Sequence, residues 1–310
     1  MIRAVQHLVR LAIALPLLAS CSPSIQPSTH SAENCTVQKY KEIPLRLEQG
    51  FLIVDAEFGG HPITLLVDTG AQSTTVTPSF VSQLGLQENS DKTQILATGG
   101  TFMSRNVTVP SGNIAGISIA SGSVPVSMMP VSASPSPPSG ILGADWLSNY
   151  DIEFDIANLR MTLFNVANCV GDYIPWTGPK ATPITRVVRK QVLFQVEIDG
   201  HPMTALFDTG ANRSVLSDRA AAGAGLPPLR DAKDRLGSAF GADGNRRITR
   251  HHVFDQFRIG TLRIRGAPFQ VQALQISTVS MLLGADFLTA HRVWVSFANS
   301  KLAVQLSRSE

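Results

Sequence analysis

The sequence predicts an all-β chain of two similar lobes with few short helices. Three observations predict it. A long block in the first half of the chain returns in the second half. Most apolar runs are short, alternate with polar residues and stop at glycine turns. Helix signals are few and brief.

The repeat organises everything else. GGHPITLLVDTGAQST at 59–74 returns as DGHPMTALFDTGANRS at 199–214. Around these blocks Glu57, His61, Pro62, Thr64 and Leu66 recur as Glu197, His201, Pro202, Thr204 and Leu206. Further on, ILGADWLSNYDIEFDIANLRMTLF at 141–164 returns as LLGADFLTAHRVWVSFANSKLAVQL at 282–306. Asp145, Leu147, Ala157 and Asn158 recur there as Asp286, Leu288, Ala298 and Asn299. Order and spacing are kept, so a domain of roughly 130 residues has been duplicated.

Each copy opens on a hairpin. QGFLIVDAEFGG and KQVLFQVEIDG run outward to a glycine turn, and HPITLLVD and HPMTALFD return. IEFDIANLRMTLF and VWVSFANSKLAVQL read as second hairpins, turning at Ala-Asn. Short helices are expected at 79–86 and 217–226, with a turn or two more at GADWLSN and GADFLTA. The Pro-rich SASPSPPSG at 132–140 reads as a loop, and 169–183 as the linker between lobes at 38–168 and 184–310.

Composition narrows the function. Of 310 residues 44% are apolar, enough for two cores, and only 16% are charged. The net charge of +3 includes Arg3 and Arg10 of the leader, so nothing suggests a nucleic-acid surface. RRITRHH at 246–252 sits among β-like residues and reads as a solvated strand face. The histidines are scattered and no Cys-x-x-Cys occurs, so no metal site is expected. No cofactor is expected either.

MIRAVQHLVRLAIALPLLASC places two arginines before a short apolar stretch and small residues, the layout of a secretory signal over 1–20. LASC resembles the lipobox of bacterial lipoproteins. That resemblance implies Cys21 as a lipidated N-terminus, a membrane partner through the lipid and, with Ser22 following, a periplasm-facing position at the outer membrane. Residues 21–37 then read as a Ser/Pro tether. Two cysteines remain, Cys35 and Cys169, one at each end of the first lobe. An exported compartment permits a bridge between them, and two separate thiols fit the sequence equally well.

Asp68 and Asp208 stand at matching places in the repeat, each followed by Thr-Gly. One Asp-Thr-Gly after a strand is ordinarily a turn. Two copies related by a pseudo-twofold axis can bring the carboxyls together. Carboxyls about 3 Å apart cannot both ionise cheaply, so they share a proton, and one serves as base while the other serves as acid. Gly70 and Gly210 allow close backbone approach, and Thr69 and Thr209 can hydrogen-bond across the axis.

These motifs resemble the aspartic peptidases of the pepsin and retropepsin group. The alanines of DTGA are more similar to the retroviral type, and ILG and LLG resemble the hydrophobic-hydrophobic-glycine element of that group. The resemblance implies two retropepsin-like β-barrel lobes in one chain, a monomer with an internal pseudo-dimer, that cuts peptide or protein substrates with Asp68 and Asp208. It also implies a glycine-rich flap, for which Gly99 and Gly100 in ATGGTF and Gly241 in SAFGADG are candidates, either singly or as a pair. Asp145 and Asp286, just past the hydrophobic-Gly element, are expected to cap the following short helix. The alternative to an enzyme is a binding or scaffold protein on the same fold.

Overall fold

The computed structural model describes residues 35–97, 100–128, 136–169, 173–174, 176, 182–188, 190–226, 234–240, 246–276 and 278–307. The expected leader, Cys21 and most of the tether lie outside these residues.

Both opening hairpins form as the alternation predicts. Phe51–Phe58 pairs antiparallel with His61–Val67, and Gln191–Ile198 pairs with His201–Phe207. Their turns need left-handed backbone, supplied by Gly59 and Gly60 in one copy and by Asp199 and Gly200 in the other. Inward-facing residues are fully buried: Leu52, Val54, Leu65 and Val67 in the first lobe, Phe194, Ala205 and Phe207 in the second.

The second repeated block packs against the first. Gly140–Leu142 runs parallel to His61–Val67, and Met281–Leu283 runs parallel to His201–Phe207. Each also pairs antiparallel with the short strand that follows its Asp-Thr-Gly, Thr75–Val76 or Val215–Ser217. The Asp-Thr-Gly loop is therefore held between two strands of its own lobe. The helices are short and capped as hydroxyl residues dictate. Thr77 accepts from the Phe80 N–H at the start of Pro78–Leu84, and Ser217 accepts from the Ala220 N–H at the start of Asp218–Gly223.

The lobes are also joined by more than a linker. Thr36–Pro44, Arg160–Ala167, Asp151–Asp155, His291–Ser296, Lys301–Leu306 and Thr182–Val188 lie side by side in one sheet. The seam between lobes is Asp151–Asp155 against His291–Ser296, with Ile152 opposite Val295 and Phe154 opposite Val293. The expected linker already enters this sheet at Thr182, which faces Leu302, and the expected tether enters it at Thr36, which faces Ala167.

The inner face of the seam is apolar and buried, through Ile152, Phe154, Val293 and Val295. Its outer face carries Asp151, Glu153 and Asp155, all buried and all paired. Asp151 accepts from Ser296 Oγ at 2.6 Å, from Tyr173 and from the Ala298 N–H. Glu153 accepts from Arg292 at 2.7 Å and from the Trp176 indole at 2.8 Å, and Asp155 pairs with Arg160 at 2.8 Å. The second copy has Arg292, Trp294 and Ser296 at these three positions. The duplicated strand has diverged into a complementary pair, so each lobe matches the other and not itself.

Two expectations are corrected here. Within RRITRHH, Thr249 and Arg250 are buried, with Arg250 only 2% exposed. Arg250 lies near Asp234, whose carboxylate also holds the His252 ring. The stretch alternates along the strand Arg246–Ile259, so part of it faces inward instead of water. Asp145 and Asp286 do not cap from the N-cap position, which Gly143 and Gly284 occupy. They sit inside the first turn, and their carboxylates have another partner, described below.

Of the two alternatives for the cysteines, the bridge is present. Cys35 and Cys169 are joined, and the bond ties the entry of the first outer strand of the seam sheet to the exit of its neighbour. It closes a loop of 134 residues, which restricts the unfolded chain strongly. Cys35→Ser should lower the free energy of unfolding by about 2–5 kcal/mol. Denaturant titration of oxidised wild type, reduced wild type and variant checks this: the last two should coincide below the first.

Candidate active site

Asp68 and Asp208 end the returning strands of the two hairpins and are fixed there by the neighbouring strand. The Asp68 N–H donates to the Leu142 carbonyl and the Asp208 N–H to the Leu283 carbonyl, both at 3.0 Å. This is the part the hydrophobic-hydrophobic-glycine elements play.

The threonines lock the two loops together. Thr69 Oγ1 donates to the Phe207 carbonyl at 2.7 Å and accepts from the Thr209 N–H at 3.1 Å. Thr209 Oγ1 donates to the Val67 carbonyl at 2.7 Å and accepts from the Thr69 N–H at 3.0 Å. Four crossed bonds therefore join the lobes, with both threonines buried. Loss of either hydroxyl leaves a carbonyl and an N–H of the opposite loop without partners, at a cost of about 1–3 kcal/mol for each group.

Gly70 and Gly210 make the close approach feasible. A Cβ at Gly70 would fall within 3.0 Å of the Asp208 carboxyl, and one at Gly210 within 3.0 Å of the Asp68 carboxyl. The two carboxyls are hydrogen-bonded to each other. Each Oδ1 also accepts backbone N–H groups of its own loop. For Asp68 these are Gly70 at 2.8 Å and Ala71 at 2.9 Å; for Asp208 they are Gly210 at 3.1 Å and Ala211 at 3.2 Å.

Burial raises both carboxyls above the ordinary range near 3.8. For Asp68 the N–H donors of Ala71 and Gly70 oppose that rise. For Asp208 the charge of Asp68 adds to it, and its pKa stands well above the ordinary value. The pair therefore holds a proton that free carboxyls would release, shared between the two groups. A small apolar cluster dries each side: Phe51, Ile53, Leu66 and Ile141 by Ala71, and Leu193, Leu206, Val215 and Leu282 by Ala211.

Asp145 and Asp286 brace the loops from behind. Asp145 Oδ1 accepts from the N–H and hydroxyl of Thr74, at 2.8 and 2.7 Å. Asp286 does the same for Ser214, at the same two distances. Both carboxylates therefore steady the Asp-Thr-Gly loops by fixing the backbone just beyond them, and neither lines the cleft.

The pair lies at the base of a cleft of about 400 Å³ lined by both lobes. Hairpins overhang it from each lobe. Glu88–Ala97 with Gly100–Val109 contributes Gln94 to Ala97, and Arg235–Phe240 with Arg246–Ile259 contributes Ala239. Gly100 sits at the tip of the first with φ +124°, a conformation that favours glycine. Gly99 and Gly241 lie outside the described residues.

Sequence reasoning missed three cleft features, all at positions where the repeat diverges or has no motif. Gln191 stands where the first lobe has Phe51; it donates to the Gly70 carbonyl and accepts from Gln72 at 3.2 Å. Gln270 and Gln272 line the cleft from the strand Leu262–Gln272. Arg213 stands where the first lobe has Ser73. Comparing the two repeats for unlike residues, instead of like ones, would have found Gln191 and Arg213.

Residues 54–146 match the family model described as "Aspartyl protease", and residues 194–290 match the one described as "gag-polyprotein putative aspartyl protease". The two halves of the chain thus each match an aspartyl protease family. Their strand-built lobes are retropepsin-like, with few short helices. Among curated relatives, the "DNA damage-inducible protein 1" of Chaetomium globosum is 32% identical over 111 residues. That of Cryptococcus neoformans var. neoformans serotype D is 29% identical over 109 residues. The matches cover 36% and 35% of this chain, and 24% of each relative. The chain thus aligns with about a quarter of the length of these relatives.

The raised Asp208 carboxyl couples stability to pH. Folding keeps a proton that the unfolded chain releases near pH 3.8, so this contribution is full below that pH and is lost as pH rises through the folded pKa. An amide at Asp208 keeps the N–H acceptor and donates to ionised Asp68. Asp208→Asn should therefore melt higher than wild type at neutral pH, and the gap should close as pH falls towards 4. Thermal melts of both proteins from about pH 3.5 to about pH 7.5, starting near the ordinary carboxyl pKa, provide the check. A gap of the opposite sign at neutral pH would show that the pair binds no extra proton.

Proposed function

We propose that this protein is an aspartic endopeptidase that hydrolyses peptide bonds with Asp68 and Asp208. The observation that carries the reading is the hydrogen-bonded carboxyl pair, both members raised by burial, in a cleft lined by both lobes. Such a pair holds a base and an acid ready at the same pH. Ionised Asp68 takes a proton from water as the water oxygen adds to the peptide carbonyl carbon. Asp208 donates its proton to the carbonyl oxygen. The resulting gem-diol collapses, the C–N bond breaks and a proton passes to the leaving nitrogen. A glycosidase needs its carboxyls at least about 5 Å apart, and these two are in hydrogen-bond contact.

The cleft suits an extended chain. It is open, lined along its length by both lobes, and offers apolar walls on either side of the carboxyls. A scaffold on this fold would have no need for two carboxyls that cost stability when buried.

Asp68→Asn and Asp208→Asn should each lower hydrolysis of an unfolded protein substrate by roughly a thousandfold or more, with the fold kept. The wild-type rate should follow a bell in pH. It falls at low pH when Asp68 is protonated, and at high pH when Asp208 is ionised. Since both carboxyls are raised and Ala71 and Ala211 offer no hydroxyl to steady their charge, the optimum should lie at about pH 4–6. Full activity in either Asn variant, or a rate still climbing through neutral pH, would end this reading.

We also propose that the enzyme works from the bacterial envelope, held by lipid on Cys21. The support is the leader and its LASC sequence. Cys21→Ser should move the protein from the membrane fraction to the soluble one, or block its processing. Unchanged fractionation would remove the anchor.

A further inference from the structure

Besides the two aspartates, the cleft has one charged lining residue among the described ones, Arg213. Its side chain is exposed, and no described residue gives it a hydrogen bond or an ion pair. Its backbone, in contrast, is held hard. Arg213 packs its carbonyl against Gly284, where a Cβ would come within 3.0 Å. The next residue, Ser214, is clamped by Asp286, and the one before, Asn212, donates from Nδ2 to the Gln49 carbonyl at 3.3 Å. A cation on a fixed base thus lines the cleft with no described residue to neutralise it.

Its neighbours are polar in kind. The Gln270 N–H donates to the Ser214 carbonyl at 3.0 Å, which places Gln270 beside Arg213. Gln272, two residues along the same strand, faces the same side. Its side-chain oxygen is buried and has no hydrogen-bond partner. The first lobe offers no matching cation, because its counterpart of Arg213 is Ser73. Among the described lining residues, the second-lobe side of the cleft therefore carries a cation that the first-lobe side lacks.

We infer that Arg213 is a specificity residue that selects substrates with an Asp or Glu side chain on the second-lobe side of the cleft. This rests on the endopeptidase reading above. The acidic side chain belongs away from the scissile bond, since next to it the charge of Asp68 would repel it. An exposed guanidinium–carboxylate pair is worth little in absolute terms but reads directly as a ratio between substrates. The pair needs an ionised substrate carboxylate, so the preference should fade below about pH 4.

The test uses the full chain and an N-acetylated, C-amidated degenerate peptide library, with products identified by mass spectrometry. Asp and Glu should be enriched at one position on one side of the cut. A matched peptide pair, Glu against Gln at that position, should then differ about three- to fivefold in kcat/KM at pH 6. Arg213→Ser should bring the ratio to about one, and Arg213→Glu should favour a Lys peptide over the Glu peptide. Each ratio is taken within one protein, so a loss of folded material cancels. No acidic enrichment in wild type, or a ratio untouched by Arg213→Ser, overturns the inference. If wild type cuts no peptide, the endopeptidase reading fails on its own. Peptide pools with Glu or Gln fixed at each position in turn are then compared for binding to Asp208→Asn by fluorescence anisotropy, where equal affinities at every position at pH 6 overturn the role of Arg213.

Discussion

The crossed hydrogen bonds of Thr69 and Thr209 are the constraint on which the rest depends. Each hydroxyl reaches the opposite lobe twice, once as donor and once as acceptor. Both are buried, so water cannot take their place. Two loops from separate lobes are thereby fixed relative to one another to within a hydrogen-bond length. Carboxyls one residue before them must then meet, whatever that meeting costs in charge. The glycines one residue after make room for it.

Everything around this point reads as support for holding two like groups together. The parallel strands behind Asp68 and Asp208 tie their N–H groups, and Asp145 and Asp286 tie the loops further out. The apolar clusters beside Ala71 and Ala211 exclude water and raise the carboxyls. The seam sheet, in which Asp151–Asp155 of one lobe pairs with His291–Ser296 of the other, opposes separation of the lobes.

A duplicated chain also escapes a limit of a symmetric dimer. In a dimer every substitution appears twice. Here Asp151, Glu153 and Asp155 face Ser296, Trp294 and Arg292 across the seam, an arrangement that two identical copies could not form. The same freedom shows in the cleft, where Gln191 and Arg213 have Phe51 and Ser73 as counterparts. The symmetric residues hold the two carboxyls together, and the asymmetric ones are free to shape what surrounds them.

The hairpins, the short helices and the pairing of Asp-Thr-Gly with a hydrophobic-Gly element were legible because they depend on local rules: alternation, turn glycines, capping hydroxyls and repetition. Arg250 and the braces Asp145 and Asp286 were misread because what surrounds a residue in space is not set by its neighbours in sequence. The sequence alone settled that two equivalent aspartates, with equivalent threonines and glycines, exist in two β lobes. Only the tertiary structure decided that the two carboxyls meet and are raised together. That outcome comes from the crossed threonine bonds and from the burial of both groups. Both arise only when two segments far apart in the chain are packed face to face.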